Sequence, residues 1–333
     1  MFKGARRLCW FAVLALALST PLVAQSYKYF RLGAAEDART TPVAGFALMG
    51  GGKDLDAAFK WLCERASGGD FVVLRHHGDD DYDPYIKGLC KANSVSTLIV
   101  PDKAAAEDPR VAEILRTAEA IFIAGGDQAM YLNHWADTPV QKELNAAIAR
   151  GVPIGGTSAG LAVMGEFVYS AQGDAPDDAD LSSKIALANP FHPRVTVRRN
   201  FVEIPILKNT LTDTHFRIRD RMGRTLVFLA RIVQDGWSSN PREIAVEERG
   251  AVLLEPNGAA TVVGSGPAYF LQVTQAPAVC KPNEPLTFLN IAVHRASPGE
   301  KFDVAKWQGA GGSNYSLSVE KGVIHSTATG GVY

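Results

Sequence analysis

The chain has 333 residues, 47% hydrophobic and 21% charged, which excludes a disordered or collagen-like polypeptide and leaves room for one large or two ordinary domains. Its 34 basic and 35 acidic residues give a net charge of -1. That balance argues against nucleic acid as a partner.

The first segment reads as a leader, not as part of the fold. Lys3, Arg6 and Arg7 precede an apolar stretch, Leu8 to Leu18, that is too short to span a bilayer. Pro21 and Ala24 mark a cleavage site near residue 24. The expectation is an exported, secreted or periplasmic protein with no membrane segment after cleavage. An uncleaved anchor is the alternative. Export leaves Cys63, Cys90 and Cys280, an odd number in an oxidising compartment. Cys63–Cys90 is a possible disulfide.

After a lead-in over 25–44, short apolar runs alternate with amphipathic stretches. The runs Phe46–Met49, Phe71–Leu74, Thr97–Val100, Ala120–Ala124 and Val152–Gly155 suit strands buried on both faces. Helices are expected over Leu55–Ala66, Tyr85–Lys91, Pro109–Ala118 and Pro139–Arg150. The alternation predicts an α/β fold with a doubly wound, mainly parallel sheet. An acidic loop, Ala171–Asp180, follows, with Asp174, Asp177, Asp178 and Asp180. Beyond it come β-like runs, Arg194–Arg199 and Phe201–Ile206 among them, and a helix from about Arg217 to Ala230. The main domain is expected over 45–270, and the Gly/Ser/Thr-rich residues 271–333 as a small C-terminal β appendage.

Gly156-Thr157-Ser158-Ala159-Gly160 follows a predicted strand and precedes a helix-compatible run, as a Gly-x-Ser-x-Gly nucleophile elbow requires. Such a turn would hold the Ser158 hydroxyl at the carboxyl end of the sheet, with the Ala159 N–H aimed at a developing oxyanion. A serine nucleophile needs a base. Among the chain's seven histidines, His215 stands out in Thr212-Asp213-Thr214-His215-Phe216, where strand-like alternation would put Asp213 and His215 on one face. Spacing alone does not choose between a base and a buried, satisfied histidine. Gly50-Gly51-Gly52-Lys53 and Gly125-Gly126-Asp127-Gln128 also end predicted strands, where ligands approach open α/β sheets. Gly52-Lys53-Asp54 is not a phosphate loop, lacking the Ser or Thr after the lysine. Arg75-His76-His77-Gly78-Asp79-Asp80-Asp81 looks like a metal-ligand cluster, but adjacent strand histidines face opposite ways, and no metal or cofactor is expected.

Together, Gly125-Gly126-Asp127-Gln128, the Ser158 elbow and Asp213-Thr214-His215-Phe216 with Arg217, Arg221, Gly223 and Arg224 resemble the cyanophycinase family of serine peptidases, which includes dipeptidase E. The resemblance implies a class I glutamine-amidotransferase-like fold and a Ser–His–acid triad. Ser158 would be the nucleophile, His215 the base, and Glu248 the acid with Glu247 as rival. Gln128 and Asp213 would be supporting polar residues, and an amide from the Gly125–Asp127 turn, with Gly126 and Asp127, would join Ala159 at the oxyanion. The substrate implied is cyanophycin, a polyaspartate with arginines on its β-carboxylates, cleaved to β-Asp-Arg dipeptides. Arg217, Arg219, Arg221 and Arg224 would grip its carboxylates, while the acidic loop, which could meet its arginines, is read first as solvated surface. Other Asp-containing or isopeptide-linked peptides are the alternative substrates. A non-catalytic binding protein is the alternative function, and homodimerisation is common in the family.

Overall fold

In the computed structural model of the protein, residues 26–173 and 180–333 are described. The leader segment and Asp174, Asp177 and Asp178 lie outside the described residues.

Strands form where apolar runs can be covered on both sides. Ser94–Ile99, Asp70–Arg75, Ala120–Ile123, Ile154–Thr157 and Phe46–Met49 lie side by side in that order, all parallel. Alternate side chains feed two separate cores. Leu48, Val72, Leu74 and Ile121 join one cluster, while Ala47, Phe71, Val73 and Phe122 join the other. Helices Asp56–Arg65, Tyr82–Leu89, Pro109–Arg116, Gln128–Trp135 and Pro139–Ala149 supply the covering layers. Their starts follow local chemistry: Thr138 caps the last of them, with Pro139 behind it, and Asp108 and Asp127 cap two others.

The parallel arrangement is confined to the middle. Lys28–Gly33, within the expected lead-in, pairs antiparallel with Ser94–Ile99. On the other side Gly250–Leu254, Ala259–Gly264, Lys301–Asp303 and Gln308–Ala310 follow Phe46–Met49, every pair antiparallel. Short hairpin connections can join antiparallel neighbours only. Among the described residues this sheet has ten strands and a second sheet has eight. The second, mostly antiparallel sheet includes Phe167–Tyr169, Thr210–Asp213, Arg242–Val246 and Ala268–Gln272.

The residues after 271 are not set apart as a small appendage. Phe288–Ala296, Ser313–Glu320 and Val323–Ser326 continue the second sheet, while Lys301–Asp303 and Gln308–Ala310 extend the first. Phe270 of one sheet stacks on Phe302 of the other, ring centroids 3.8 Å apart. Two further expectations change. Phe201–Ile206 holds no strand, because Pro205, which has no N–H to donate, opens a 3-10 turn, Pro205–Leu207. The helix expected from Arg217 starts at Met222 and ends at Gln234, since left-handed residues at His215 and Asp220 break the chain before it.

Cys63 and Cys90 form a disulfide with Cα atoms 5.8 Å apart, and Cys280 is free and buried. Among the described residues no helix is long and apolar enough to cross a membrane.

Candidate active site

Ser158 stands between the strand Ile154–Thr157 and the short helix Ala159–Ala162 with φ 52° and ψ −119°. A non-glycine residue there is strained, by about 1–3 kcal/mol. The glycines around it answer a space requirement. A Cβ on Gly156 would lie 2.5 Å from the Gly160 backbone, and one on Gly160 would lie 2.0 Å from the Ile123 carbonyl oxygen. The Ser158 N–H donates to the Met49 carbonyl at 3.2 Å, tying the elbow to the end of the neighbouring strand.

His215 comes to this serine from the second sheet. Its N–H donates to the Gly50 carbonyl at 2.8 Å, and its φ of 45° turns the ring toward the elbow. Nε2 lies 2.7 Å from Ser158 Oγ, and Nδ1 lies 2.6 Å from Glu248 Oε1. A carboxylate can only accept, so Nδ1 carries the hydrogen and Nε2 presents its lone pair to the hydroxyl. Burial lowers the His215 pKa from its ordinary value, with Arg219 and Arg221 adding to the effect and Glu248 opposing it. The imidazole is therefore neutral at pH 7, the state a base requires. Gly51 lies flat against the ring; with φ 97°, a Cβ there would come within 2.4 Å of Cε1.

The rival acid is occupied elsewhere. Glu247 Oε2 accepts the Arg217 and Ile218 N–H groups, the latter at 3.2 Å. Asp213 does not share a face with His215, because the strand Thr210–Asp213 ends between them. Its buried carboxylate instead receives Arg224 Nε at 3.0 Å, Arg224 Nη2 at 2.6 Å and Arg221 Nη1 at 3.3 Å. Burial alone would raise the Asp213 pKa, but the two guanidinium groups hold it below the ordinary value. Glu243, wholly buried beside it, is pushed well up by burial and by the Asp213 charge. Tyr333 braces this region from the far end of the chain. Its hydroxyl accepts the Met222 N–H and donates to Asp220, both at 2.9 Å, and its ring meets Phe216 edge-on.

Two cavities flank Ser158. One, of about 350 Å³, is lined by Gly126, Asp127, Gln128 and Ala159 on one side and by Asp180, Arg219, Arg221 and Arg224 on the other. Here the structure separates roles that the sequence merged. The Asp127 carboxylate caps a helix by accepting the Ala129 N–H at 2.8 Å. Gln128 Nε2 donates to the Tyr169 carbonyl at 3.4 Å. Arg221 and Arg224 reach the wall, but Asp213 and Asp180 already hold their charges, with Arg221 Nη2 2.6 Å from Asp180. Arg217 is exposed and lines neither cavity. Asp180 likewise faces the chain's own arginines, Arg219 and Arg221. The second cavity, of about 390 Å³, lies on the imidazole side and includes Asp54, Tyr82 and Thr157, which sequence reasoning passed over. Their one signal was the glycine run just before Asp54. The His76–Asp81 segment does not converge on a metal. His76 pairs with His134, Nε2 to Nδ1 at 2.9 Å, while Arg75 takes Asp79. Among the described residues the one acidic cluster dense enough for a cation is Asp37, Asp70 and Glu119, away from the cleft.

A profile of peptidase family S51 matches residues 81–188, a span that holds Gln128 and Ser158 but neither His215 nor Glu248. A cyanophycinase from Trichormus variabilis is 26% identical over 222 residues, 63% of this chain and 65% of that protein. One from Synechococcus elongatus is 28% identical over 221 residues, 64% of this chain and 62% of that protein. The chain thus matches less than two-thirds of the length of these curated relatives. A solved peptidase from an acI-B1 Actinobacterium superposes with a TM-score of 0.52 at 17% identity, covering 79% of this chain and 98% of that one, a likeness of fold.

Proposed function

We propose that the chain is a member of peptidase family S51, a serine peptidase that hydrolyses cyanophycin to β-Asp-Arg dipeptides through an acyl-enzyme. One observation carries the reading: the hydrogen-bonded series from Ser158 Oγ to His215 Nε2, and from His215 Nδ1 to Glu248 Oε1. His215 takes the proton from Ser158 as Oγ bonds to the scissile carbonyl carbon, and the carbonyl electron pair moves onto oxygen. The Ala159 N–H and an amide of the Gly125–Asp127 turn would receive that oxyanion. When the C–N bond breaks, His215 delivers the proton to the departing amine. Water then repeats the sequence, with His215 as base, and frees the acid and Ser158. The net change is one water added across one amide. Glu248 keeps the imidazole in the required tautomer and steadies its cation.

Cyanophycin is the substrate that the named relatives suggest. The cleft suits a polymer bearing both charge signs, since Arg219, Asp180 and Asp54 all border Ser158. The layered arrangement is consistent with a class I glutamine-amidotransferase-like fold. Export is part of the same reading, and the Cys63–Cys90 disulfide fits an oxidising compartment. The test is incubation of the wild type and Ser158→Ala with cyanophycin and with α-Asp dipeptides, products read by mass spectrometry. β-Asp-Arg from the wild type alone is the expected result. Its appearance with Ser158→Ala, or none from the wild type, refutes the assignment. Cleavage of the dipeptides with cyanophycin left intact moves the substrate to other Asp-containing peptides.

A further inference from the structure

The two cavities beside Ser158 are not equivalent, because His215 lines only one of them. In acyl transfer the imidazole must protonate the departing nitrogen, so the leaving fragment lies on the imidazole's side. The acyl fragment then falls to the side of Ala159 and the Gly126–Gln128 turn. The imidazole-side cavity, about 390 Å³, is within the ~300–1,000 Å³ range of small-ligand sites.

Its wall holds an acceptor that the protein leaves open. Asp54 Oδ1 is buried with no hydrogen-bond partner, and the hydroxyl of Thr157, a residue only 5% exposed, hydrogen-bonds the same carboxylate. Buried polar atoms are ordinarily paired, because an acceptor left without a partner has lost its hydration for nothing in return. Asp54 is also aimed. Its Oδ2 accepts the Tyr82 hydroxyl at 2.5 Å, which fixes the carboxylate plane. Burial raises the Asp54 pKa from its ordinary value, while Tyr82, nearby Thr157 and Arg75 act against that rise. Of the two arginines of this wall, Arg219 is paired with Asp180, while Arg75 reaches Asp79 and keeps a buried Nε without a partner. Arg75 Nη1 lies 3.4 Å from Asp79 Oδ1, and Arg219 Nη1 lies 3.0 Å from Asp180 Oδ2. Glu248, the other carboxylate here, is bound to His215.

We infer that this cavity receives the leaving fragment and that Asp54, held by Tyr82 beside Thr157, accepts hydrogen bonds from a guanidinium or ammonium group on it. The inference rests on the acyl-transfer reading and adds to it a residue that sets substrate preference. A hydrogen bond to a charged group contributes about 1.5–3 kcal/mol, or roughly 10- to 100-fold in kcat/KM.

The experiment compares the wild type with Asp54→Asn on paired peptides whose leaving fragment carries arginine, ornithine or the uncharged citrulline. A fluorophosphonate, which brings no cationic leaving fragment, reports on Ser158 in the same samples. The wild type should prefer the two cationic peptides. Asp54→Asn should shrink that preference by about 10- to 100-fold while Ser158 is still labelled. Equal losses on all three peptides, or loss of labelling with the substitution, overturns the subsite and makes Asp54 a structural residue. Failure of the wild type to label at Ser158 overturns the acyl-transfer reading itself, and the subsite with it. Intact labelling without any charge preference overturns the subsite alone.

Discussion

Glu248→Gln is the sharpest probe of the triad. The substitution keeps the side chain's shape but replaces the acceptor 2.6 Å from His215 Nδ1 with an amide that can turn its NH₂ toward the ring. That arrangement favours the wrong tautomer, with hydrogen on the Nε2 that should face Ser158. It also removes the negative charge that stabilises the imidazolium. An equivalent change in another serine peptidase lowers turnover by about 10⁴, or ~5.4 kcal/mol. The Glu248 side chain is 30% exposed, so water moderates the loss, and about 10³ is expected here. Glu247→Gln is the matched control. Its new amide oxygen still accepts from Arg217 and Ile218, and activity should stay within roughly threefold. The assay is kcat/KM for release of β-Asp-Arg from cyanophycin, with thermal melts showing that both variants fold. A loss under about tenfold for Glu248→Gln, or an equal loss for both variants, refutes the assignment of the acid.

The pH profile of kcat/KM should bend down on the acid side with a midpoint below the ordinary imidazole value of 6.5, because burial disfavours the charged ring and only the neutral ring acts as base; a midpoint above 6.5 contradicts this. Ser158→Gly should be at least as stable as Ser158→Ala in thermal melts, since only glycine relaxes the positive φ. A clearly lower Tm for the glycine variant rules out strain at the elbow. Asp213→Asn should cost about 3–5 kcal/mol in denaturant unfolding by orphaning Arg224, whereas Glu243→Gln, at a carboxyl that burial drives toward its neutral form, should cost much less. Equal costs would refute the idea that burial drives Glu243 toward its neutral form. Replacing Cys63 and Cys90 by serine should remove ~3.5 kcal/mol, from a closed loop of 27 residues. An unchanged unfolding midpoint would show that the bridge does not stabilise the fold.

The parallel core was readable because a strand covered on both faces must be apolar throughout, as Ala120–Ile123 is. The elbow was readable because its crowding imposes glycine at two fixed positions. His215 needed the family resemblance, since its strand-like neighbourhood singled it out but did not choose between a base and a buried, satisfied histidine. Choosing between Glu247 and Glu248 depends on which side chain turns toward the imidazole, which alternation alone does not decide. The arginines at 217, 221 and 224 invited a substrate-binding reading because Asp213 and Asp180, which hold two of them, sit outside the helix. Asp54, Tyr82 and Thr157 went unnoticed for a related reason: three separate segments carry them into one wall. The C-terminal strands were missed because their pairing is non-local, as with Phe302 beside Ala260.

The clasp made by Tyr333 bears on how such a protein comes into being. The segment carrying the imidazole is anchored through Asp220 and Met222 to a side chain more than a hundred positions further on. A ribosome would release Ser158, His215 and Glu248 long before that anchor arrives. The clasp on the segment that follows the imidazole can therefore close only once residues as late as Tyr333 have been made.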